Sequence, residues 1–119
     1  MKLTIPALAA AALSVAATAA ADSMFVDHVC LLTECSAKGY FTTSFGTFEV
    51  NTKDGCRTSG VPYMNEFCID EKRGRMHFRF NQQNKRCMKV TSSDWELCNP
   101  DFVWSSCSTD YYTEVPCTW

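Results

Sequence analysis

The chain has 119 residues, eight cysteines and a formal charge of −2. That is one domain's worth of sequence, and its acidity argues against sequence-independent nucleic-acid binding. Metal ligation is not expected either: a zinc site needs close pairs such as C-x2-C, and the nearest cysteines, Cys30 and Cys35, have four residues between them.

Met1-Lys2 opens the chain with a positive charge, and an uncharged Ala/Leu-rich run follows from Leu3 to Ala21. The run ends in Ala19-Ala20-Ala21, and the first acidic residue is Asp22. This is the pattern of a cleavable signal peptide, with cleavage expected after Ala21. As a membrane anchor the run would be weak, because alanine gains little on transfer and no positive stop signal follows. The expected mature chain, residues 22–119, keeps ten of the eleven basic residues and all 13 acidic ones, a balance of −3. It is read as a single disulfide-rich β-domain, monomeric and without a membrane anchor.

All eight cysteines fall in that part: Cys30, Cys35, Cys56, Cys68, Cys87, Cys98, Cys107 and Cys117. An even count in a short exported chain predicts four disulfides, each worth roughly 2–4 kcal/mol. Spacing does not choose among the possible pairings.

In chain order, residues 29–38 are undecided, with a helix among the options. Phe41 to Val50 reads as a strand whose apolar parity switches at Gly46, which predicts a bulge there. Asp54-Gly55 marks a turn. Gly60-Val61-Pro62-Tyr63-Met64 reads as an ordered loop presenting Tyr63 and Met64. Residues 75–80 alternate cleanly, with Met76, Phe78 and Phe80 inward and Arg75, His77 and Arg79 outward. A polar break at Asn81–Asn84 leads into a second alternating run, so an antiparallel hairpin is expected. Residues 92–98 carry the marks of a helical turn, capped by Ser92 or Ser93. The C-terminal run from Tyr111 alternates until Pro116, which places it at an edge or ends it there. The expected fold is a small disulfide-stabilised antiparallel β-sandwich or open barrel, with one short helix as the alternative.

Charge is segregated. Seven basic residues and no acidic ones lie between Lys72 and Lys89, while the rest of the mature chain carries three basic and 13 acidic residues. Arg75, His77, Arg79, Arg86 and Lys89, with Tyr63 on the neighbouring loop, are the candidate partner-binding residues. Arginine suits planar recognition of carboxylate or phosphate, so an acidic protein, a phosphate or an anionic polysaccharide is the expected partner. The competing reading is pairing with the domain's own carboxylates, or a solvated strand face that deters edge pairing.

No catalytic residue and no cofactor is assigned. His28 and His77, with Glu49, Glu66, Arg75 or Arg79, are the only residues suited to acid–base chemistry of the kind small secreted ribonucleases use. No G-x-S-x-G elbow is present. Aromatic side chains also suit sugar stacking, and Tyr63, Trp95, Tyr112 and Trp119 are the expected exposed ones, while most Phe should be core.

The Ala-rich leader, the mature length near a hundred residues, the eight cysteines and the β-strand composition resemble the small cysteine-rich secreted effectors of plant-associated fungi. The resemblance is one of architecture and carries no residue-level motif. It implies a virulence protein, acting in the host apoplast or after uptake into host cells. There such proteins bind host targets to suppress plant defence, inhibit enzymes or mask cell-wall fragments. A killer-type toxin or antimicrobial protein is the alternative, followed by a ribonuclease and a carbohydrate binder.

Overall fold

The computed structural model describes residues 21–99 and 101–119. The leader expected over residues 1–21 lies, but for Ala21, outside the described residues. Among the described residues eight strands form one fully antiparallel sheet: β1 Ser23–Leu31, β2 Glu34–Thr43, β3 Gly46–Val50, β4 Gly55–Arg57, β5 Met64–Asp70, β6 Arg75–Phe80, β7 Arg86–Glu96 and β8 Ser105–Val115. Their order across the sheet is β3-β2-β1-β8-β7-β6-β5-β4. The sheet curls into a half-barrel, the open-barrel form of the expected fold.

Two extra residues cause much of the curl. The register slips between Met64 and Glu66 in β5 and between Val90 and Ser92 in β7. An unopposed residue bends its strand and increases the local twist. Strands far apart in the sheet therefore meet face to face. Phe41 of β2 packs edge-on against Phe78 of β6, ring centroids 5.0 Å apart, and also against Phe80. Around this seam lie Met24, Val26, Phe67, Ile69, Met76, Met88 and Tyr112, all buried. Burial pushes the Tyr112 phenol up to about 12, so it stays neutral in the core.

The inward set Met76, Phe78 and Phe80 is as the alternation predicts, and β6 pairs with β7 in the expected hairpin. Other expectations are corrected. Residues 29–38 are no helix but the β1–β2 hairpin, and 92–98 continue β7 through Glu96. Cross-strand hydrogen bonding outweighs a local serine cap here. The only helical piece among the described residues is the 3-10 turn Glu71–Arg73, closed by Gly74 in the left-handed region. Gly46 makes no bulge: with φ +135° it leaves a two-residue turn, Ser44-Phe45, that reverses the chain from β2 into β3. Two strands, not one, explain the parity switch. Tyr112 and Met64 are core rather than presented. The C-terminal strand ends at Val115, directly before Pro116.

The disulfides are Cys30–Cys35, Cys56–Cys68, Cys87–Cys117 and Cys98–Cys107. Four bridges in a domain of this size suit an oxidising, extracellular-type environment. No helix among the described residues is long and apolar enough to cross a membrane.

Candidate functional site

At one end of the half-barrel three loops converge on a cleft of about 580 Å³. The first is the β2–β3 turn. The Phe45 backbone N–H donates to Thr43 Oγ1 at 2.9 Å, and Thr42 and Thr47 hydroxyls meet across the hairpin. This tight, polar turn leaves the Phe45 ring 63% exposed. The second is the loop before β5. The Val61 N–H donates to Ser59 Oγ, the Met64 N–H donates to the Val61 carbonyl, and Val61 and Met64 are buried. Between these two anchors Tyr63 is forced outward, 66% exposed, with φ +65°. Its ring lies 5.8 Å from that of Phe45.

The third loop is the β6–β7 turn. The Gln83 N–H closes it onto the Phe80 carbonyl at 3.1 Å, and the Asn81 N–H ties it to the Tyr63 carbonyl at 2.8 Å. Gln82 takes the third turn position with φ +62°, where the left-handed backbone is usually left to glycine. Of the three non-glycine residues with positive φ among the described residues, two, Tyr63 and Gln82, line this one cleft; the third, Leu32, sits in the β1–β2 turn. Such backbone strain concentrates where a side chain is needed for function. Gln82→Gly is expected to stabilise the fold by about 0.5–1 kcal/mol, as left-handed strain is relieved against the chain entropy that glycine adds. Thermal unfolding checks it, and a loss of stability would mean the turn is unstrained.

The cleft's charged wall is Asp22 and Arg86. Arg86 reaches both Glu114 carboxylate oxygens, and its Nη2 lies 3.2 Å from Asp22 Oδ2. Its guanidinium also covers the Phe78 ring at 5.0 Å. Burial pushes the Asp22 carboxyl above its ordinary range, against the lowering pull of Arg86, and the nearby Glu114 charge pushes the same way. The Glu114 carboxylate holds the Arg86 guanidinium above its usual value.

The residues singled out in the sequence divide between two faces. Arg75, His77, Arg79 and Lys89 share the convex face, with Arg75 directly opposite Lys89. Arg86 opposes Phe78 and faces inward at the cleft, together with Tyr63, so it does not belong with the other four. The convex face is also less basic than the sequence order suggests. β5 sets Asp70 opposite Arg75 and Glu66 opposite Arg79, and Arg73 is 2.8 Å from Asp70. Burial holds His77 below the usual imidazole range, more than Glu66 raises it, so it carries little charge at neutral pH. The C-terminal tail covers part of this face, with the Trp119 ring 5.0 Å from the Arg75 guanidinium.

The two histidines are not brought together. His28 points inward, 3.1 Å from Asp110 and 3.7 Å from Glu71, while His77 points outward. The Ser93 hydroxyl is held by Asp110, not by the imidazole. Cys56, Cys68 and His77 have ligand-type atoms within 4.8 Å of one another, but both sulfurs are tied up in one disulfide and offer no thiolate.

At the far end of the sheet Leu32 and Val103 are exposed at 74% and 78%, beside Phe102 and Trp104, whose rings are 5.1 Å apart. Trp95 is exposed as expected. Phe45 and the amides of 81–83 were not marked by the sequence as site residues. The signal for Phe45 is the Thr-Ser-Phe-Gly sequence at 43–46, a turn carrying an aromatic at its tip. Compared with protein-family models, with curated proteins and with solved structures, the chain finds no match.

Proposed function

We propose that the protein is a secreted, non-enzymatic binding protein of the effector type, and that it takes a glycan in the cleft between Phe45, Tyr63 and the 81–83 turn. The observation that carries this reading is the exposed Phe45–Tyr63 pair beside Asn81, Gln82 and Gln83. A pyranose ring has apolar C–H faces and a rim of hydroxyls. Aromatic rings cover such faces, and amides, which donate and accept, suit the hydroxyls. The cleft's volume falls within the range of small-ligand sites. In the class that the sequence resembles, holding a cell-wall fragment would keep it from the plant's defence, and that is the role we assign.

Calorimetric titration with chitin, β-glucan and xylan oligosaccharides tests the reading. Tyr63→Ala and Phe45→Ala are each expected to weaken binding about tenfold, since an aromatic contact is worth roughly 0.5–1.5 kcal/mol beyond its buried area. A folded protein that binds none of the three, or binds equally well without both rings, would overturn it.

A protein target is the second reading, favoured by the apolar tip around Leu32, Val103 and Trp104. Exposed aromatic clusters of this kind are typical of interface centres. Capture of a host protein that survives Tyr63→Ala but is lost in Trp104→Ser would move the function to the tip.

A further inference from the structure

The backbone nitrogen of Asp22 donates to Glu114 Oε1 at 2.9 Å. The same carboxylate is gripped by Arg86, which also holds the Asp22 side chain. Asp22, Arg86 and Glu114 are 10%, 25% and 22% exposed. Among the described residues this cluster holds two carboxylates and one guanidinium, so one negative charge is left uncompensated in a half-buried place. Such a deficit is costly where water is scarce. The nitrogen aimed at Glu114 is the amide that follows Ala21, which is itself exposed.

We propose that hydrolysis of the Ala21–Asp22 peptide bond completes this cluster, because the freed α-ammonium of Asp22 binds Glu114 where the amide N–H now does. The step needs a leader-type endopeptidase that cuts after small residues, and water. The C–N bond breaks, hydroxide oxygen goes to the Ala21 carbonyl carbon, and the nitrogen takes the water's remaining proton and one more from solvent. An amide donor becomes a cation without moving, and the cluster becomes neutral: Asp22 carboxylate and Glu114 against Arg86 and the ammonium. A charge-assisted hydrogen bond is about twice as strong as a neutral one. Processing thus does more than discard a leader. It locks β1, which begins at Ser23, to β7 and β8 through one residue. It also sets the charge of the cleft wall, since Asp22 and Arg86 both line the cleft. The inference does not depend on what the cleft binds.

The full chain, exported from a eukaryotic host, should have an intact mass that starts at Asp22. The secreted protein is then compared with the same material selectively acetylated at its α-amine. The groups facing that amine are Glu114 on β8, Arg86 on β7 and its own carboxylate. The two carboxylates outweigh the one guanidinium there, so the amine should titrate above the ordinary α-amino range, read by NMR. A raised amine adds stability that is full below its ordinary value and is lost as pH climbs through the raised one. The free form should therefore melt about 4–8 °C above the acetylated form at pH 7, with the gap closing by about pH 10. Glu114→Gln should abolish the gap; if that variant does not fold, the wild-type pair still decides. An amine titrating in the ordinary range, equal melting of the two forms, or a start several residues from Asp22 would overturn the proposal.

Discussion

Phe78→Ala is expected to cost about 3–5 kcal/mol, the largest loss of any single substitution in the sheet. The ring is fully buried and makes three separate contacts. It meets Phe41 edge-on at 5.0 Å, Phe80 at 5.8 Å, and the Arg86 guanidinium over its face at 5.0 Å. The first contact joins β2 to β6 across the concave side, where no backbone ladder links them. Truncation leaves a cavity on that seam and strips the apolar support from Arg86, so little can collapse to fill the space. In a domain this small the melting temperature should fall by well over about 10 °C. Phe45→Ala, on an exposed ring of the same type, should stay within about 0.5 kcal/mol. Denaturant unfolding of both variants checks the contrast. A Phe78→Ala cost under about 1 kcal/mol would mean that the half-barrel does not close on this seam.

Removing the Cys87–Cys117 bridge, by serine at both positions, is the second large effect. The four bridges span 5, 12, 30 and 9 residues. On the chain-entropy view the 30-residue loop contributes about 3.6 kcal/mol and the five-residue loop about 2. Cys87 is also 1% exposed, so serine would put a hydroxyl into a buried site at further cost. The bridge anchors the tail that carries Trp119 onto the convex face. Guanidinium unfolding should therefore rank Cys87/Cys117→Ser as clearly less stable than Cys30/Cys35→Ser. An equal or reversed order would show that the tail contributes nothing to the fold.

The legible parts of this protein are those where one face meets the core and the other meets water. Met76, Phe78 and Phe80 announced β6 because their spacing matches a strand's two-residue period. The stretches 29–38 and 92–98 gave no such signal. There β1, β2 and β7 run past the core, and from Leu31 to Lys38 and Ser92 to Glu96 every residue is exposed. With nothing to bury on either side, no alternation is written. Pairing along the ladder and two bridges, Cys30–Cys35 and Cys98–Cys107, hold these segments instead.

The cleft was only partly legible for a different reason. Tyr63 stood out as a loop aromatic, but Phe45 and Gln82 join it from turns on other hairpins, and only the curl of the sheet brings them together. The basic segment misled in the opposite direction. Residues crowded with positive charge along the chain face Glu66, Asp70 and Glu114 from neighbouring strands. Antiparallel pairing interleaves what the sequence had kept apart.

The pattern of the bridges bears on how the protein can be made. Cys30–Cys35 and Cys56–Cys68 each close between successive cysteines, and Cys98–Cys107 nests inside Cys87–Cys117. No two links interlace. In an oxidising environment, a polypeptide emerging N-terminus first can seal the Cys30–Cys35 and Cys56–Cys68 loops as soon as each second thiol appears, without waiting for distant partners. Emergence order alone therefore yields the first two links, while the nested pair forms correctly only if Cys87 stays unpaired past Cys98 and Cys107 until Cys117 arrives, and that is where thiol shuffling is needed.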